Sequence, residues 1–129
     1  MARLSSEPTL PPVTDGAIDR EGECTELLQA LIRNACVNDG SVESGQEVRS
    51  TDLLRTYLED VPVDIEVYES EPGRSSLVAR VEGTDPTAPT LLLMGHTDVV
   101  PANLDTWDRD PFGGELVDER KDRFGEGGD

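Results

Sequence analysis

The chain has 129 residues, enough for one modest domain. Its 11 basic side chains stand against 28 acidic ones, a net charge of −17, which repels nucleic-acid phosphates and anionic membranes. Such an excess fits either a disordered acidic chain or a folded protein adapted to high salt; the acids are spread between well-formed apolar patterns, which favours the halophilic reading.

Residues 1–20 carry Pro8, Pro11, Pro12 and Gly16 with few large apolar side chains, and read as a mobile extension. They include no apolar core of signal-peptide length, and no run in the chain approaches a membrane span. From Glu23 to Val37, Cys24, Leu27, Leu28, Leu31, Ile32 and Ala35 recur at helical spacing, which predicts an amphipathic helix with one stripe facing the core. Cys24 and Cys36 lie too far apart along it to bridge, so both are expected as small core residues of a protein in a reducing cytoplasm. Asn38 to Ser41 supply turn chemistry.

Ser44 and Glu47 have the spacing of a capping box. A second helix is expected to about Asp60, with Leu54, Tyr57, Leu58 and Val61 on its buried face and Pro62 as its stop. Val63, Ile65 and Val67 alternate with polar neighbours as in a half-buried strand. Glu71-Pro72-Gly73-Arg74 is a turn, and Ser76 to Glu82 form a second strand pairing antiparallel with the first. Leu91, Leu92 and Leu93 then make an unbroken apolar run within Thr90–Met94, expected as a central strand buried on both faces.

That run leads to His96, the only histidine, and Asp98 two positions on. On an extended backbone these side chains share a face, at the end of the strand where open α/β sheets place ligands. Beyond Pro101, Trp107 and Phe112 read as anchors of an ordered loop, and Asp118–Arg123 as a solvated charged run.

The stretch Leu93-Met94-Gly95-His96-Thr97-Asp98-Val99-Val100-Pro101, with Trp107 and Asp110-Pro111-Phe112 after it, resembles the signature of the zinc-dependent aminoacylase and dipeptidase family, in its acetylornithine deacetylase and succinyl-diaminopimelate desuccinylase branch. The resemblance covers about residues 23 to 118. It implies an α/β fold, the opening part of a metallopeptidase catalytic domain, with two helices packed on a mixed sheet. Residues 21–118 would form that part, and 119–129 a divergent tail. It also implies hydrolysis of an amide bond in a small peptide or N-acyl amino acid, with zinc or cobalt as cofactor. His96 would bind a metal and Asp98 would act behind it in catalysis. The family's next ligand is an Asp in a Gly-Arg-Gly-x-x-Asp pattern, for which Phe124 to Asp129 offers Asp129; Glu126 replaces the Arg, and one residue is missing before the Asp. The family's adjacent Glu pair has no counterpart here, which reads as a truncated, haloarchaeal-type copy, with a catalytically inactive metal- or partner-binding module as the alternative.

Overall fold

The computed structural model describes residues 19–117. Its elements, in order, are helix α1 (Arg20–Arg33), helix α2 (Val48–Tyr57), strands β1 (Asp64–Glu71) and β2 (Arg74–Arg80), and a short 3-10 turn over Leu104–Thr106.

Helix α1 begins three residues before the expected start because Asp19 caps it, its carboxylate accepting from the Gly22 amide at 3.0 Å. Glu21 and Glu23 in the first turn and Arg33 in the last complement the helix dipole. The helix ends at Arg33, short of the expected Val37, and Ala35 adopts a positive φ of 46°. This break turns Cys36 inward while leaving Cys24 exposed, so the expectation of two core cysteines holds for Cys36 alone.

Helix α2 differs from its expected cap and face. Glu47 occupies the N-cap position without a side-chain cap bond, so the capping box does not form. Its carboxylate instead pairs with Arg74 Nε at 2.8 Å, and Ser44 bonds within the preceding loop. The buried residues are Glu47, Ser50, Thr51 and Leu53, whereas Tyr57 and Leu58 are half-buried and Val61 is exposed. Small polar side chains permit close approach here and satisfy one another: Thr51 and Ser75 hydroxyls lie 2.6 Å apart, and Cys36 Sγ lies 3.2 Å from Ser50 Oγ.

β1 and β2 form the expected antiparallel hairpin, with Ile65 opposite Ala79 and Val67 opposite Leu77. Gly73 takes the positive φ, +81°, that the turn demands after Pro72. Its carbonyl accepts from the Val48 amide at 3.0 Å, which seats the start of α2 on the hairpin tip.

The sheet among the described residues is this two-stranded antiparallel hairpin, not a mixed sheet. Parallel pairing is limited to one isolated bridge, Val37 with Val99. The expected central strand Thr90–Met94 is also corrected. Leu91, Leu92, Leu93 and Met94 belong to no strand and are 81, 71, 83 and 87% exposed. An apolar run becomes a buried strand when ladders flank it and layers cover both faces, and the described residues supply neither.

Candidate functional site

The segment carrying His96 and Asp98 is held in place by the backbone that follows α1. Val99 N–H donates to the Cys36 carbonyl at 2.9 Å, and Asn38 N–H donates to the Val99 carbonyl at 2.8 Å. This bridge brings residues 36–38, just past the broken end of α1, alongside residues 98–99.

Within that frame His96 Nδ1 lies 2.7 Å from the Asp98 carbonyl oxygen and 3.0 Å from Asp98 Oδ1. The two side chains share a side, as the two-residue spacing anticipates, although no regular strand carries them. A carbonyl oxygen accepts and cannot donate, so Nδ1 carries a proton, and in the neutral ring the lone pair is on Nε2. The imidazole is 82% exposed and Asp98 29%. Asp98 Oδ2 accepts from Asn38 Nδ2 at 2.9 Å. That bond is the main cause that holds the Asp98 carboxyl below the usual carboxylate range; burial opposes it, and the bond from His96 adds to the lowering.

Asn38 belongs to this site although its sequence context marks only a turn. Its Asn-Asp-Gly context announces the turn, but its partner is 60 positions away and leaves no local signal.

No three His, Cys, Asp or Glu residues among those described gather where they could hold one metal ion. Hydrolytic zinc takes three protein ligands and a water. The described residues therefore do not amount to a complete zinc centre, and no hydrolytic step follows from them alone. Cys36 is engaged by Ser50 and the Gln46 carbonyl, away from any ligand cluster. Asp129 lies outside the described residues, as does the charged run from Asp118.

The loop beyond Pro101 is anchored only in part as expected: Phe112 is half-buried. Trp107 is exposed, and the backbone makes the attachment instead. Gln29 Nε2 donates to the Gly114 carbonyl at 2.5 Å, and Arg33 Nε to the Gly113 carbonyl at 3.1 Å. Gly114 is buried with φ +62°, and a Cβ there would stand 2.9 Å from the Gln29 carbonyl oxygen. Ile32, Trp107, Pro111 and Val117 border an open groove of about 470 Å³ beside this attachment.

Part of the chain is similar to curated enzymes. Over 78 residues it is 38% identical to an aminoacylase-1 of Dictyostelium discoideum, covering 60% of this chain and 19% of that protein. It is 31% identical over 102 residues to an acetylornithine deacetylase of Vibrio campbellii, covering 77% of this chain and 25% of the relative. It is 42% identical over 94 residues to a succinyl-diaminopimelate desuccinylase of Methylobacterium nodulans, covering 72% and 22% respectively. The chain thus spans about a quarter or less of the length of these relatives. No protein-family model and no solved structure matches it. No helix among the described residues is long and apolar enough to cross a membrane.

Proposed function

We propose that this chain carries the opening part of an aminoacylase-type, metal-dependent amide-bond hydrolase, in which His96 is one metal ligand through Nε2 and Asp98 supports it from behind. The observation that carries this reading is the pair of acceptors on His96 Nδ1, which leaves an exposed Nε2 lone pair facing outward. A metal-bound imidazole takes this form, one nitrogen on the ion and the other held by a carboxylate or carbonyl. The names of the relatives support amide-bond chemistry on N-acylated amino acids. The ion itself, zinc or cobalt, would polarise the scissile carbonyl and lower the pKa of a bound water. Asp129 enters the proposal by its sequence pattern alone, as a further metal ligand.

Because the described residues supply one clear ligand, the 129-residue chain by itself is expected to bind the ion weakly and to turn over no substrate. That matches the second reading, an inactive metal-binding module, for this chain in isolation. The test is calorimetric titration of zinc into the wild-type chain and His96→Ala in high-salt buffer, followed by assay of both on N-acyl amino acids and dipeptides. Weak binding lost in His96→Ala, without turnover, is the expected result. Identical isotherms would overturn the metal assignment, and turnover that disappears with His96 would overturn the claim of inactivity.

A further inference from the structure

We propose that Asn38 is a positioning residue: its side-chain amide, clamped by the loop over residues 38–44, holds the Asp98 carboxylate so that His96 stays in the Nδ1–H tautomer with Nε2 outward. This rests on the preceding reading for its purpose but not for its geometry.

The orientation of the Asn38 amide is determined by its neighbours. Asn38 Oδ1 accepts from the Gly40 amide at 3.0 Å and lies 3.4 Å from Ser44 Oγ. A backbone N–H can donate to the amide oxygen and not to its NH₂ group, so Oδ1 faces the loop and Nδ2 faces Asp98. The loop is tied together by the Asp39 amide donating to Ser44 Oγ at 3.2 Å and by Ser44 Oγ donating to the Ser41 carbonyl at 2.8 Å. The Val37–Val99 bridge sets the loop's root beside residue 98. The amide therefore arrives at Asp98 with its direction already fixed.

Asp98 is accept-only when ionised, so each oxygen is assigned by what donates to it. Asn38 takes Oδ2 at 2.9 Å, which turns Oδ1 toward His96 Nδ1 at 3.0 Å. Among the described residues both ring hydrogen bonds of His96 run to Asp98. One goes to the backbone carbonyl, which the Asn38 side chain does not control. At a ring 82% exposed, water competes with a lone carbonyl. The carboxylate adds charge to the Nδ1–H bond and is the acceptor that depends on Asn38. Which ring nitrogen remains free for a metal is set by the bond that the other makes.

The chain has a single histidine, so its imidazole gives one unambiguous set of ring ¹⁵N signals. The tautomer is read from them on metal-free protein in high-salt buffer at about pH 8.5, above the ordinary imidazole range. Three proteins are compared: wild type, Asn38→Asp, and the pair Asn38→Asp with Asp98→Asn. The single change keeps the loop-facing oxygen and removes the donor toward Asp98. The double change exchanges amide and carboxylate across the same contact and restores a donor–acceptor pair. The expected result is a dominant Nδ1–H form in wild type, its loss toward a tautomer mixture in Asn38→Asp, and its return in the pair. An unchanged Nδ1–H form in Asn38→Asp would overturn the proposal, because the backbone carbonyl would then suffice. If the single variant does not fold, the pair decides alone: a folded pair with a mixed tautomer overturns the proposal, and one with the wild-type tautomer supports it. Because no metal is present, a failed zinc titration leaves this test intact, and a failed tautomer test leaves the zinc result standing.

Discussion

At the scale of single residues, the two-residue spacing of His96 and Asp98 makes their contact legible, although the strand expected to carry them does not form. Asn38 was not legible, since a contact across 60 positions depends on where the chain folds back and not on its own neighbours. Tyr57 is a similar case. It was expected as part of an apolar face, yet its hydroxyl donates to Glu23 Oε1 at 2.5 Å and ties α2 to α1. That hydrogen bond first, and burial second, raises the Tyr57 phenol from its ordinary 10.0 to about 12. The neutral phenol is the form that the fold favours. The tie is therefore fully present below about pH 10, and is lost as pH rises through the folded value of about 12. Alkaline titration of tyrosinate absorbance checks this in a Tyr68→Phe background, since Tyr68 is the other tyrosine and bonds Glu66. Glu23→Gln in that background is expected to bring the Tyr57 midpoint down toward about 10. A midpoint near 10 before the Glu23 change would remove the tie.

At the scale of elements, both helices and the hairpin were legible from periodicity and turn chemistry, because those signals are local. The seam between α2 and the hairpin was not. Ser50, Thr51 and Ser75 carry no hydrophobic signal, and they are buried because hydroxyls at close quarters satisfy one another. The apolar run Leu91–Leu93 misled in the opposite direction: hydrophobicity announces a demand for cover, but the neighbours that meet it must come from elsewhere in the fold. Glu47 shows how a local motif yields to a tertiary partner. Its spacing from Ser44 suits a capping box, but pairing with Arg74 joins the start of α2 to the hairpin. The Glu47 side chain is 10% exposed and that of Arg74 25%, so removing the cation leaves a carboxylate short of water and of a partner. Arg74→Ala is expected to cost about 1–3 kcal/mol after allowance for the remaining exposure. Arg55 supplies the contrast. Its 3.6 Å contact with Asp52 is between side chains more than 60% exposed, and Arg55→Ala should stay within about 0.5 kcal/mol of wild type. Urea midpoints of the two variants at one salt concentration decide the matter. Equal midpoints would mean that the Glu47–Arg74 pair contributes nothing beyond a surface contact.

For the molecule as a whole, the opposing quantities are a small core and a large charge. The buried apolar residues among those described are Ala30, Cys36 and Leu53. Against this stands a net charge of −17 over 129 residues, which disfavours any compact state by self-repulsion. Mobile ions weaken that repulsion, with a screening length of about 10 Å at 0.1 M salt and about 3 Å at 1 M. Folding is therefore expected to strengthen as potassium chloride rises from tens of millimolar toward molar, read as helical circular dichroism and as a rising urea midpoint. Two mechanisms would raise it, and their curves differ. Screening acts steeply at low salt and flattens once the screening length is shorter than typical spacings between acids. Exclusion of salt from apolar surface keeps rising through molar concentrations and is stronger for sulfate than for chloride. The exposed Leu91–Met94 run makes the second mechanism a real competitor here. Comparing the chloride and sulfate salts of potassium at equal ionic strength separates them. Coincident curves that level off below about 1 M identify charge as what salt relieves. Curves that diverge and keep climbing assign the effect to apolar exposure. A folded signal indifferent to salt would show that −17 is tolerated without screening, and would remove the halophilic reading of this composition.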